Sequence, residues 1–182
     1  DEDVQLAHYK LPANCKFIGQ TLLQTKFRSN YGCNILQITT PQAVIDMPGA
    51  DYILEAASTL LIIGTREQFK MFNAAVASKQ IDLEPLAEPI SLRQFMLQSH
   101  EEKPELQFLS LAITVDEHSK LLGKSIKDAN IRENWSALVL GLERGAYTIT
   151  NPNISLTFEK GDLLWVLGKQ KMLNALIREE VL

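Results

Sequence analysis

Several features that would assign a function directly are missing from this sequence. The 182 residues contain no apolar run near the roughly 18 that a membrane-spanning helix needs. The net charge of −4 excludes the basic field that attracts nucleic acid, so no nucleic-acid partner is predicted. The chain opens Asp1-Glu2-Asp3, unlike a secretory signal peptide, and has no initiator Met. We therefore expect a soluble fragment of a longer protein.

Cysteine is nearly absent, because Cys15 and Cys33 are the only two. Two cysteines are too few for a disulfide framework and do not have the spacing of a metal site. We therefore expect two free thiols in a reducing compartment.

Histidine is also scarce, which bears on catalysis. His8, His100 and His118 lie far apart, and none has a neighbouring Ser or Cys in a recognisable nucleophile motif. The Gly-x-Gly-x-x-Gly turn of dinucleotide-binding domains does not occur either. We predict that the chain is not an enzyme and has no catalytic residues.

The short run Asp116-Glu117-His118 could contribute to a divalent-cation site. A calcium site needs six or more oxygen ligands, and this run supplies only a few of them. A solvated loop is the favoured interpretation, and no metal site is predicted.

What the sequence does contain is an internal repeat. Lys16 can be set against Lys120, and the comparison continues without gaps. The identities include Gly19 with Gly123, Arg28 with Arg132, Asn30 with Asn134, Leu36 with Leu140, Pro48 with Pro152, Glu55 with Glu159, Leu60 with Leu164 and Gly64 with Gly168. A constant offset over this length indicates a tandem duplication.

The repeat divides the chain into two predicted domains, copy one at residues 1–78 and copy two at residues 106–182. Residues 79–105 are predicted to be a linker, because Pro85, Pro89 and Pro104 interrupt regular structure. Ser91 and Gln94 could still cap a short helix there, and that helix could pack on a copy.

Both copies show the same order of predicted elements: strand, short helix, apolar strand, turn-rich stretch, apolar strand and amphipathic helix. The strands are predicted at residues 4–9, 33–39 and 60–63, and at residues 106–115, 137–143 and 163–167. Capping boxes are predicted at Thr21 with Gln24 and at Thr65 with Gln68, and a looser one at Ser125. The predicted fold class is α+β, with two small sheets that each carry helices on one face.

Copy two is similar to a known family in a set of motif residues. They are Gly123-Lys124-Ser125-Ile126, Arg132, an apolar strand ending in Arg144-Gly145, Pro152 and Gly161-Asp162. This pattern closely resembles the TrkA-C domain, also called the C-terminal domain of RCK (regulator of potassium conductance) proteins. Copy one shares Gly19, Thr21, Arg28, Pro48 and Gly64, but it has Ala57-Ser58 in place of Gly-Asp and Thr39-Thr40 in place of the strand-end charges.

The resemblance implies a regulatory role. In that family such domains lie on the cytoplasmic side of cation channels, uptake systems, cation/proton antiporters and other permeases, where they dimerise and bind ligands that gate transport. It implies a homodimeric domain at the cytoplasmic face of the plasma membrane, attached to the transporter portion of a potassium or sodium/proton antiporter. The alternative is a ligand-free dimerisation module of another permease or potassium uptake system.

The resemblance also implies a ligand set in copy one. Some family members bind cyclic di-AMP through two aliphatic residues, an Arg, an Asn six residues further on and a Pro. Copy one has Leu22, Leu23, Arg28, Asn34 and Pro48 in that order. The predicted regulatory ligand is therefore cyclic di-AMP or another adenine nucleotide. Copy two lacks the Asn, so a two-fold symmetric ligand implies pairing of copy one with copy one.

Asn34 also draws attention on physical grounds. Residues two apart share a face of a strand, which predicts that Asn34 lies with Leu36 and Ile38 on an apolar face. An unpaired amide there would cost about 1–3 kcal/mol. An adenine edge would satisfy it, and so would a neighbouring loop. For Arg28, phosphate binding and a structural tie to the next loop are both open, whereas Arg132 is predicted to be structural.

Overall fold

The chain folds as two compact units, Asp1–Phe95 and Met96–Leu182. The computed structural model describes residues 3–98, 103–104 and 107–181. His100 and the predicted start of copy two at Leu106 lie outside the described residues. No helix in the described ranges is long and apolar enough to span a membrane.

Unit one, which contains copy one, is built on one antiparallel sheet. Its elements are β1 (Val4–Lys10), α1 (Leu22–Thr25), α2 (Phe27–Tyr31), β2 (Asn34–Thr39), β3 (Val44–Asp46), β4 (Thr59–Thr65), α3 (Arg66–Ala77), β5 (Glu84–Pro85) and β6 (Ile90–Ser91), followed by α4 (Leu92–Gln98). The strand order is β3-β2-β4-β1-β5, and β6 also pairs with β1.

Unit two, which contains copy two, repeats this arrangement. Its elements are β7 (Phe108–Thr114), α5 (Ile126–Ala129), α6 (Ile131–Trp135), β8 (Leu138–Arg144), β9 (Tyr147–Thr150), β10 (Leu163–Lys169) and α7 (Gln170–Val181). The order β7-β10-β8-β9 matches β1-β4-β2-β3 of unit one. The predicted α+β class and the tandem duplication are therefore confirmed.

The core of unit one lies between the sheet and the helices α1–α3. Phe72 is at its centre, with no exposed surface and with edge-to-face contacts to four other aromatic rings. These rings are Tyr9, Phe27, Tyr31 and Phe69, at centroid distances of 5.2, 5.4, 5.6 and 6.5 Å. The apolar residues Phe69, Phe72 and Val76 of the closing helix α3 are buried, as expected of an amphipathic helix.

The core of unit two is built in the same way, with aliphatic residues on its closing helix. Leu173 and Leu176 of α7 are fully buried, whereas Ile177 on the same helix is 36% exposed. Trp135 packs into this core at the position that Tyr31 occupies in unit one.

The helix starts follow the predicted capping residues. Thr21 with Gln24 and Thr65 with Gln68 form complete capping boxes, and Ser125 accepts only from the backbone N–H of Asp128. The predicted single short helix is in fact two helices in each unit. In unit one Lys26 separates them, because its left-handed backbone conformation (φ 60°) interrupts the run of helical hydrogen bonds.

Part of the predicted linker belongs to the sheet of unit one. Pro85 pairs with Tyr9, and Ile90 pairs with Leu6. The predicted helix follows, and its first turn is capped where the backbone N–H of Gln94 donates to the Ser91 hydroxyl at 3.1 Å. The segment therefore covers the outer edge of β1.

The alternation predicted for the second strand is wrong, because β2 contains a β-bulge. Asn34 pairs with Ile63, but the register shifts before Gln37, which pairs with Leu61. The additional residue moves Ile38 into the helix-covered core and leaves Asn34 on the opposite face. Strand β8 shows the equivalent shift, so Leu142 likewise lies in the core and does not share a face with Leu138.

Candidate functional site

Two of the predicted ligand residues contact each other directly. Arg28, on α2, donates from Nη1 to the amide oxygen Oδ1 of Asn34, on β2. Asn34 is only 4% exposed. The chain itself therefore supplies a partner for the amide that was predicted to need one, and the contact holds the guanidinium at this end of the sheet.

A second polar pair lies on the same face of the sheet and was not predicted. Gln37 donates from Nε2 to Oδ1 of Asp46 at 2.9 Å, and the two residues face each other across β2 and β3. Unit two has Gly141 and Thr150 at the equivalent positions. A comparison of the two copies could have identified Gln37 and Asp46 as candidates, because this polar pair, like Asn34, occurs in copy one alone.

The loop after β3 is hydrogen-bonded to β2 at one end and to the start of α1 at the other. The backbone N–H of Met47 donates to the carbonyl of Leu36 at 2.8 Å, and the backbone N–H of Leu23 donates to the carbonyl of Ala50 at 3.0 Å. Met47 makes the turn with φ 45°. Pro48, which is buried, lies between these two anchor points.

The two predicted aliphatic residues have different surroundings. Leu22 is partly buried and packs against the core of unit one. Leu23 is 73% exposed. Of the five predicted site residues, Arg28 and Asn34 are in contact, Leu23 and Pro48 are linked through the loop, and Leu22 is directed towards the core. Only Leu23 offers exposed apolar surface.

Unit two does not reproduce this arrangement. Leu138 occupies the Asn34 position, and the Arg132 guanidinium makes no hydrogen bond or ion pair within the described part of the chain. The tie to a neighbouring loop predicted for Arg132 is therefore not seen there. Burial lowers the pKa of Arg132.

The main polar cluster of unit two is an ion pair. Arg144 donates from Nε and Nη2 to the two carboxylate oxygens of Asp162, both at 2.8 Å, and the N–H of Glu159 adds a bond of 2.7 Å. Asp162 is fully buried. Burial opposes its ionisation, but the bonds from Arg144 and Glu159 and the charge of Arg144 outweigh burial and lower the pKa of Asp162. The pair stabilises the turn before β10.

The run Asp116-Glu117-His118 is exposed, as expected of a solvated loop. Glu117 lies 3.3 Å from the Lys160 ammonium. Within the described ranges, no group of three His, Cys, Asp or Glu side chains is placed to hold a metal.

Both cysteines are free thiols and are buried. Burial raises the pKa of Cys33 to about 12, so its thiol stays protonated at neutral pH.

These units define the class of protein: a tandem duplication of a small α+β domain in which helices cover one face of an antiparallel sheet. The chain matches the TrkA-C domain over residues 6–77 and 111–180 and belongs to that family. The resemblance inferred from the motifs of both copies is confirmed.

Similar proteins include transport proteins. The chain is 25% identical over 162 residues to the uncharacterized transporter sll0640 of Synechocystis, covering 88% of this chain and 25% of that protein. It is 28% identical over 134 residues to the Ktr system potassium uptake protein A of Vibrio alginolyticus, covering 73% and 49%. The chain therefore spans a quarter to a half of these relatives.

A solved structure of the KtrA RCK C domain, in complex with cyclic diadenosine monophosphate, is also similar. It is 25% identical, with a TM-score of 0.40, over 48% of this chain and 94% of that one.

Proposed function

We propose that the chain is the cytoplasmic regulatory domain of a membrane potassium (or sodium)/proton antiporter, and that it gates cation transport when unit one binds cyclic di-AMP or another adenine nucleotide. Membership of the TrkA-C family and the transporter relatives support the regulatory role. The observation that carries the ligand proposal is the contact between Arg28 and Asn34, which unit two lacks.

The side chains in unit one suit an adenine nucleotide. A guanidinium presents a planar fork of N–H donors that matches phosphate, and Asn34 orients the Arg28 fork. The Asn34 amide can both donate and accept, as the edge of adenine does. The exposed Leu23 offers apolar surface for a base.

The symmetry of the ligand favours one mode of assembly. Cyclic di-AMP is two-fold symmetric, so it presents the same groups to two identical partners. Only unit one has the full residue set, so a homodimer in which unit one pairs with unit one is proposed.

Replacing Asn34 by Leu is expected to weaken cyclic di-AMP binding by about 100-fold or more. Asn34 orients the Arg28 guanidinium. A hydrogen bond from that guanidinium to phosphate contributes about 1.5–3 kcal/mol, and a symmetric ligand meets two copies of Arg28. The fold should persist, because unit two already combines Leu138 with Arg132. Titration calorimetry measures the change in the dissociation constant.

The matched control is Leu138→Met, a conservative change at the equivalent position of unit two, which should leave the dissociation constant unchanged. Wild-type affinity in the Asn34→Leu variant would refute the site. If cyclic di-AMP, ATP and ADP all fail to stabilise the wild-type chain, the ligand-free dimerisation module is the better account. A ligand at 100 times its dissociation constant should stabilise the fold by about 2.7 kcal/mol.

A further inference from the structure

Polar residues of unit one form a row on the face of the sheet that carries Asn34. Asn34 and Gln37 are three residues apart in sequence. Their partners on β4, Ile63 and Leu61, are only two residues apart. The bulge in β2 accounts for this difference, so Asn34 and Gln37 are neighbours on one face, with their Cα atoms about 7 Å apart. Asp46 lies opposite Gln37 on β3 and completes this polar row.

The two ends of the polar row carry opposite charges. At one end the Arg28 guanidinium donates to the side chain of Asn34. At the other end the Asp46 carboxylate accepts a hydrogen bond from Gln37 at 2.9 Å. A nucleotide has anionic phosphates at one end and its base at the other, and the edge of the base can carry an amino group that donates. The polar row therefore suits a nucleotide whose phosphate lies at Arg28 and whose base is directed towards Asp46.

Unit two shows that the loop after β3 does not require the polar pair at the Asp46 end of the row. Gly141 and Thr150 stand at the positions of the pair in unit two. The backbone N–H of Asn151 nevertheless anchors the equivalent loop to the carbonyl of Leu140 at 2.7 Å, and the corresponding bond in unit one is 2.8 Å. Both members of the pair in unit one are half-buried. Holding the loop does not explain this pair, whereas recognition of a ligand does.

We propose that Asp46 recognises the base of the bound nucleotide, and that its carboxylate accepts a hydrogen bond from the 6-amino group of adenine. This inference rests on the function proposed for unit one. A carboxylate has about four acceptor sites, and the bond from Gln37 uses one of them. Adenine has a donor at position 6, whereas hypoxanthine and guanine have a carbonyl oxygen there, which a carboxylate repels. Asp46 therefore selects adenine over a base with a 6-carbonyl group.

The test compares two ligands that differ at position 6 of the base. Titration calorimetry of the full chain measures the dissociation constants of cyclic di-AMP and of cyclic di-IMP, which has hypoxanthine in place of adenine. The wild-type chain should bind cyclic di-AMP at least about tenfold more tightly, because a matched base contact discriminates to this extent.

The decisive variant is Asp46→Asn. It keeps an oxygen that can accept from Gln37, and its amide N–H groups can donate to a 6-carbonyl group. The preference for cyclic di-AMP should therefore disappear or reverse. Asp51→Asn is the matched control, because it removes the same charge from an exposed position in the loop after β3. This control should keep the wild-type preference.

The ratio of the two dissociation constants separates base recognition from an effect on the fold. Partial unfolding of Asp46→Asn would weaken both ligands by the same factor and leave the ratio unchanged. An unchanged ratio in this variant would therefore overturn the inference, and so would equal affinity of the wild-type chain for the two ligands. In both cases binding of cyclic di-AMP would leave the proposed function intact. If the wild-type chain binds neither ligand, the cyclic dinucleotide site is wrong, and the role of Asp46 is wrong with it.

Discussion

Replacing Phe72 by Ala is expected to lower the free energy of unfolding of unit one by about 3–5 kcal/mol. Phe72 is fully buried and contacts four aromatic rings, so the truncation removes apolar burial and leaves a cavity between α3 and the sheet. Edge-to-face pairs add about 0.5–1.5 kcal/mol each. Urea denaturation followed by far-UV circular dichroism measures the loss.

Met71→Ala is the control on the same helix. Met71 is 62% exposed, so its truncation should change the free energy of unfolding by about 0.5 kcal/mol or less. If the two variants lose similar stability, Phe72 is not at the centre of the core.

Replacing Arg144 by Thr is expected to destabilise unit two by about 3 kcal/mol. The change leaves the buried carboxylate of Asp162 without its charged partner, which costs about 3–5 kcal/mol in buried pairs. The lower value applies because the backbone N–H of Glu159 still donates to Asp162. Trp135 and Trp165 both lie in unit two, so tryptophan fluorescence follows its unfolding.

The double variant Arg144→Thr/Asp162→Ser reproduces the pair that unit one uses. Thr40 and Ser58 occupy these positions there, and the Ser58 hydroxyl donates to the carbonyl of Glu55 at 2.8 Å. The double variant should recover stability to within about 1 kcal/mol of wild type, because no buried charge remains. A double variant no more stable than Arg144→Thr would contradict this account of the ion pair.

The effect of Arg144→Thr should also depend on pH. In the wild type the pKa of Asp162 is lowered, so the stability it contributes is present above the unfolded pKa of roughly 4 and is lost as the pH falls through the folded pKa. In the variant, burial is the largest influence and only the bond from the Glu159 N–H opposes it, so the pKa of Asp162 should rise. The destabilisation should therefore be smaller at pH 4.5 than at pH 7.

The candidate site was only partly readable from the residues. The spacing of Arg28 and Asn34 pointed to both, but their contact depends on how α2 meets β2. Leu22 and Leu23 were predicted to act together, and the turn of α1 directs only Leu22 towards the core. Gln37 could not be assigned, because the β-bulge decides which face it shares.

The sequence by itself determined the features that depend on nearby residues. The capping boxes at Thr21 and Thr65 depend on side chains within one turn of the backbone groups that they bind. The order of elements follows from the periodicity of apolar residues, and the repeat from comparing the two halves of the sequence. The family assignment rests on the same local motifs.

Only the tertiary structure decided the features that depend on a distant strand. The bulge at Leu36 is defined by its register against β4, and the cover over β1 by a segment that follows α3. A backbone hydrogen bond between strands does not depend on side-chain identity, so no motif marks which strands meet or where the register shifts.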